Sequence, residues 1–329
     1  MRAWVLAAFV LSAGPVPGTS QQDYILRRTF AAGDEWRYHI RLVVRSELEG
    51  PETIKIGAVT YVKTVQHGAE ARLGWMVTER VTRLAENGAA EVREQQEAFE
   101  PIRVRPQKDE DDPQAARLAA SLRQMLSNWS KGRALELHVT ANGSVIGLAA
   151  DAAPQLDEPA PPLLTLWLAH ALRPAAVLPE RRIRVGEPWQ EPRDVRVSGW
   201  TDVHAGETGE WLEAAGTPGI HAALQLHVVQ EISGRVNDSA PPASEAGNMN
   251  GQKSAPAREK TERFFAESLS TIGIEDGRVL SASRSARKEV IQILTPVSGM
   301  TERPRFRATL SVQVEIESCV ENPCEGGNR

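Results

Sequence analysis

Apolar and polar positions alternate strictly along several stretches of this chain. Trp36, Tyr38, Ile40, Leu42 and Val44 occupy the even positions of one segment, with Arg37, His39, Arg41, Val43 and Arg45 between them. Successive side chains of a strand point to opposite faces, so this spacing predicts a strand with one buried and one wet face. The pattern recurs at Ile220, Ala222, Leu224, Leu226, Val228 and Ile232, against His221, Gln225, His227 and Glu231. It returns at Phe306, Ala308, Leu310, Val312, Val314 and Ile316, against Arg307, Thr309, Ser311, Gln313, Glu315 and Glu317. One-sided alternation of this kind belongs to antiparallel sheets.

Shorter strands are expected over Ile54–Thr64 and over Ala71–Arg83, the latter carrying Leu73, Trp75, Val77 and Val81. Asn87-Gly88, Asn142-Gly143 and Asp276-Gly277 each stand between strand-like runs and suit hairpin turns that need positive φ. Two segments follow a helical period instead. Ala115–Trp129 spaces Leu118, Leu122, Met125, Leu126 and Trp129 along one face, behind Asp112-Pro113 as cap and first residue. Leu163–Leu172, set between Pro161-Pro162 and Pro174, is apolar almost all round and reads as a buried helix.

Strands of thirteen residues extend roughly 40 Å at about 3.3 Å per residue. A sheet that long twists and curls, and its apolar face needs a cover. The expected fold is therefore mainly β (α+β): a long curved antiparallel sheet, or half-barrels, packed on two helices. Gly33-Asp34-Glu35-Trp36 after Arg27-Arg28 and Gly186-Glu187-Pro188-Trp189 after Arg181-Arg182 suggest a duplicated unit, with chance similarity an equal alternative. The implied division is 1–20 as a signal peptide, 21–150 and 151–318 as two β-rich halves with one helix each, and 319–329 as a tail. Ala149–Pro162 reads as a linker. Ser233–Lys260 has no aromatic, Ile or Leu and is expected to be a disordered loop.

The opening twenty residues carry Arg2, a short apolar run from Ala3 to Ala13, and a small-residue region from Gly14 to Ser20. That run is shorter than the roughly 18–20 residues a spanning helix needs, so it reads as an export signal cleaved near Ser20. The protein is then expected to be periplasmic or extracellular, and not transmembrane. With 38 basic and 43 acidic residues interspersed, no basic block tracks a phosphate backbone, which argues against nucleic acid as a partner. Cys319 and Cys324, both in the tail, are expected to pair as a disulfide in an oxidising compartment.

The export-type leader, the glycine–aromatic strand starts, the long amphipathic strands and a late glycine hairpin from Ile272 to Leu280 together resemble LolA/LppX-type lipoprotein-carrier half-barrels. They also resemble uncharacterised secreted proteins built from two such halves. The resemblance covers most of the chain after the leader. It implies a concave apolar face able to hold an acyl chain, but it assigns no ligand residue, because there is no motif to align.

Catalytic signatures are mostly absent: there is no G-x-S-x-G, H-E-x-x-H, P-loop or G-x-G-x-x-G. Ser285 and Lys288 form S-x-x-K without its companion elements and read as an exposed strand segment. Asp202, His204, Glu207 and Glu210 offer ligands for a metal or an acid–base pair, or else a wet loop beside Trp200 and Trp211. His221 and His227 lie six residues apart on one strand, about 20 Å, too far to share an ion. Lys108–Asp112 lacks the spacing of a calcium loop and fits acid ahead of a helix. Arg37, Arg41 and Arg45, beside His39, make a basic ridge that reads first as a solvated face.

The leading expectation is a non-enzymatic protein, without a cofactor, that binds a hydrophobic or lipid-like ligand in an apolar groove. Trp36, Tyr38, Trp75, Trp129 and Trp167 are the groove candidates, though such aromatics more often simply fill the space between a curved sheet and its helices. The alternatives are an envelope interaction or assembly module without a small ligand, and a metal-assisted hydrolase using Asp202–Glu210.

Overall fold

The computed structural model describes residues 23–56, 59–107, 112–127, 133–143, 145–148, 171–174, 178, 182–192, 200–213, 222–236, 259–293 and 305–319. Alternation is realised as strands longer than the sequence suggests. A short β1 (Asp23–Tyr24) precedes β2 (Glu35–Ile56), β3 (Val59–Leu84) and β4 (Ala90–Gln107). Helix α1 (Pro113–Ser127) follows, then β5 (Arg133–Val139), β6 (Val145–Leu148), β7 (Ile183–Arg184), β8 (Trp189–Pro192) and β9 (Trp200–Glu213). The chain ends with β10 (Ala223–Val236), β11 (Glu259–Gly273), β12 (Val279–Ile293) and β13 (Arg305–Ser318).

Eleven of these strands form one antiparallel sheet in the order β6-β5-β4-β3-β2-β13-β12-β11-β10-β9-β8. Each half of the chain is a meander, and the two meet where β13 pairs with β2, Ile316 opposite Ile40 and Val312 opposite Val44. The edges β6 and β8 do not pair with each other, so the sheet stays open. The mainly-β expectation is met. The boundary near 150 separates two meanders but not two cores, because one buried cluster runs from Val92 and Leu137 through Tyr38 and Ile316 to Trp211.

Three local expectations change. Ile54–Thr64 is not a strand of its own: it straddles the turn between β2 and β3, which pair from Glu35↔Arg80 to Ile56↔Val59. The stretch 233–260 is ordered at both ends, since β10 runs to Val236 and β11 begins at Glu259. Cross-strand bonding, Val236 opposite Lys260, holds residues whose own composition is poor in core formers. Of the two helices, α1 is described and buries Ala115, Leu122 and Leu126. Of Leu163–Leu172, only Ala171 and Leu172 fall within the described residues; Ala171 is helical and both are buried. The signal segment 1–20, the linker 149–162, Trp129, Trp167, His221 and Cys324 lie outside them.

Asp112 caps α1 as the sequence implies. Its Oδ1 accepts from the Gln114 amide at 2.8 Å, and its Oδ2 lies 2.6 Å from Nδ1 of His67 on β3. That contact holds the Asp112 carboxyl below its ordinary range and fastens the helix start to the sheet.

An extended segment, residues 25–34, straps one end of the sheet. The Arg28 amide donates to the Ala141 carbonyl in the β5–β6 turn at 2.6 Å, and the Thr29 amide donates to the Asp276 carbonyl in the β11–β12 turn at 3.1 Å. The strap thus bridges turns from both meanders. Gly277 sits beneath it with φ +64°, and a Cβ there would stand 2.5 Å from the Arg27 carbonyl oxygen. Asp276-Gly277 therefore does more than turn a hairpin. It makes room for the strap.

Candidate functional site

Strand parity gathers the apolar side chains onto one covered face of the sheet. Register aligns a row from Trp75 on β3 through Ile40, Ile316 and Ala282 to Leu226 and Trp211 on β9. Helix α1 covers the β3 and β4 part of this face. Of the groove candidates, Trp36, Tyr38 and Trp75 are all buried on it, at 7%, 0% and 4% exposure. A cavity of about 10 Å³, lined by Ile40, Trp75, Val77, Gln96 and Leu172, has room for one water at most.

Charged groups interrupt the apolar face at several points, and two of them engage the segments that cross it. On β12, Arg284 shares the parity of Ala282 and Ala286 and is only 7% exposed. Its Nη1 donates to the carbonyls of Ala171 at 2.8 Å and Arg173 at 2.7 Å. Burial lowers its pKa to about 10, so it remains charged at neutral pH. A guanidinium rooted in the sheet thereby ties down the 171–174 segment.

The second interruption lies under the strap. Glu79 of β3 and Glu94 of β4 are direct cross-strand partners, and both are buried. Arg28, carried in by the strap, forms a buried ion pair with Glu79. Its guanidinium also lies 5.0 Å from the Trp36 ring centre and 5.3 Å from that of Phe30, within cation–π range. Glu94 Oε1 accepts from Gln96 Nε2 at 2.6 Å, while Oε2 has no hydrogen-bond partner among the described residues. Burial first, then the charge of Glu79, pushes the Glu94 carboxyl up to about 7. The Tyr38 hydroxyl is also without a partner among them, and burial raises its pKa far above the ordinary phenol range.

Sequence reasoning missed Arg28, Glu79, Glu94 and Arg284. The signal was legible for Glu79, which keeps the buried parity of Trp75, Val77 and Val81, and for Arg284 between two buried alanines. A charge in phase with a core is the mark of a buried partner. Arg28 carries no such mark, since its segment has no period.

The other candidates do not converge. Asp202, His204, Glu207 and Glu210 are strung along β9, with Asp202 and Glu210 eight residues or about 26 Å apart. Asp202 and His204 are exposed, whereas Glu207 turns inward and accepts from Gln230 Nε2 at 2.5 Å. Among the described residues no three His, Cys, Asp or Glu side chains could hold a metal ion. Ser285 and Lys288 have opposite parity on β12, and Lys288 Nζ pairs with Glu262 at 3.0 Å. His227 lies 2.9 Å from Glu267 on the outer face. The basic ridge is outward-facing, with Arg37 paired to Glu35 at 2.8 Å and Arg45 to Glu70 at 2.8 Å.

No protein-family model matches this chain, and no curated protein does. Among solved structures it is similar to the Salmonella SPI-1 type III secretion injectisome secretin InvG, residues 176 to the end, in the open gate state. Identity is 11% and the TM-score 0.14, over 86% of this chain and 59% of that one. A likeness that slight carries no argument about fold or function. Among the described residues no helix is long and apolar enough to cross a membrane.

Proposed function

We propose that this protein is a non-enzymatic, exported binder of a lipid-like ligand, whose apolar part occupies the apolar face of the sheet in place of its cover. The observation that carries this reading is the tie from Arg284 to the Ala171 and Arg173 carbonyls. A cover meant to stay shut needs only apolar packing, and a buried charge in that contact costs desolvation. A directional tie of two hydrogen bonds, by contrast, can be exchanged for bonds to a ligand's polar end without leaving the guanidinium unpaired. The cavity beside Trp75 and Leu172 is about 10 Å³, too small for an acyl chain, so in this reading the cover moves on binding. The leader-like residues 1–20 support export, and in an oxidising compartment Cys319 would pair with Cys324.

Lipid extraction and mass spectrometry of protein purified without detergent from an exporting host test the reading. Stoichiometric co-purifying acyl lipid is expected, and Arg284→Met should change the amount retained by several-fold. Protein that carries no lipid, and takes up none when mixed with acyl chains, would overturn it.

A further inference from the structure

On the face of the sheet opposite the apolar one, Glu70 of β3 is surrounded by three arginines. Arg45 Nε reaches its Oε2 at 2.8 Å, while Arg72 Nε at 2.8 Å and Arg105 Nη2 at 3.0 Å share its Oε1. The carboxylate is nearly buried, with its side chain 6% exposed, while those of Arg72 and Arg105 are 53% and 70% exposed. Register explains the convergence. Arg105, Glu70 and Arg45 form one row across β4, β3 and β2, and Arg72 stands opposite exposed Arg103 one step along.

Three cations on one anion leave a surplus of two positive charges around a single carboxylate. At this separation guanidiniums repel one another, and Glu70 alone does not balance them. Among the described residues these three arginines make their ion pairs with Glu70, while Glu47 Oε2 meets Gln66 Nε2 at 3.5 Å. Glu70 meanwhile uses few of the donors present. A guanidinium carries five N–H groups in a fixed fork. Each of Arg72 and Arg105 is held by one nitrogen, and Arg45 spends a second on Gln313 Oε1 at 3.2 Å. The buried carboxylate therefore holds the three arginines together while the side chains of Arg72 and Arg105 stay largely exposed.

We propose that Arg45, Arg72 and Arg105, set in place by Glu70 and joined by Arg103, form a binding site for a phosphate group on the outer face of the sheet. Planar forks match the paired oxygens of a phosphate, and a dianion or monoanion offsets the surplus charge. The group comes either from an anionic lipid headgroup or from a free phosphate. This site does not depend on the groove, and it stands or falls separately.

Calorimetry of the intact protein with inorganic phosphate is one arm of the test. Co-sedimentation with phosphatidylglycerol–phosphatidylcholine vesicles, against phosphatidylcholine alone, is the other. Binding is expected in at least one arm, and the arm that responds identifies the source. Arg72→Lys combined with Arg105→Lys keeps the charge but removes the forks, and should weaken binding about tenfold or more. Absence of binding in both arms, or lysine variants that bind as well as the parent, would overturn the proposal. Should the double variant not fold, thermal melting of the parent decides. A rise in Tm in phosphate over chloride at equal ionic strength supports the site, and no rise contradicts it.

Discussion

Glu79 and Glu94 face each other across the β3–β4 ladder on the buried side of the sheet. Two carboxylates so placed share one strap cation, Arg28, which bonds Glu79 and leaves Glu94 to hold a proton near neutrality. The Glu94 pKa is raised from 4.5 to about 7 on folding, so the folded state binds the proton more tightly. Its stabilising effect is complete below the unfolded value and is lost as pH rises through the folded one. The contribution of this group to stability should therefore fall by on the order of 3 kcal/mol as pH rises from below 4.5 to above 7. Urea midpoints across this range would show the slope, and Glu94→Gln should flatten it.

Arg28→Met leaves Glu79 buried without its cation. Removing one partner of a buried pair costs about 3–5 kcal/mol, and that range is expected here. Arg28→Met with Glu79→Gln should recover part of the loss, because the stranded charge is gone. Denaturant unfolding of the single and double variants measures this coupling.

The strap has its own test. Gly277→Ala forces a side chain into a left-handed conformation and against the Arg27 carbonyl. The backbone term alone is about 1–2 kcal/mol, and the clash adds to it. Faster amide exchange at Arg28 and Thr29, whose bonds to Ala141 and Asp276 define the strap, would locate the damage.

Arg284→Met removes the donor to two carbonyls while filling much the same volume. The Ala171 and Arg173 carbonyls lose their described donor, a penalty of about 1–3 kcal/mol for each group that stays buried. The cover is expected to open more often instead. Amide exchange in α1 and around residues 171–174 should quicken, while the β2–β13 ladder remains protected.

Much of this architecture was legible in the chain. The parity of Trp36 through Val44 and of Phe306 through Ile316 foretold two strands with one greasy face, and these became the central pair that joins the meanders. The helix cap at Asp112 followed from Asp-Pro alone. Strand lengths were not legible, because Ile54 to Thr64 gives no sign that a hairpin turns at its middle. Nor was the N-terminal strap, which is held by backbone bonds to turns more than a hundred residues away and so leaves no periodic trace. Of the candidate site, the aromatic residues Trp36, Tyr38 and Trp75 were found by parity. The charges among them were passed over, since a period of two marks where a residue points and not what it will meet there.

In the proposed function an acyl chain displaces the cover and lies along the row from Trp75 to Trp211. Quenching of tryptophan emission by brominated acyl chains measures that contact directly, since bromine acts only at short range. The parent protein should be quenched saturably, and Trp75→Phe should lose a distinct share of the effect. Emission unchanged by the brominated chain, or quenching identical in Trp75→Phe, would contradict the account.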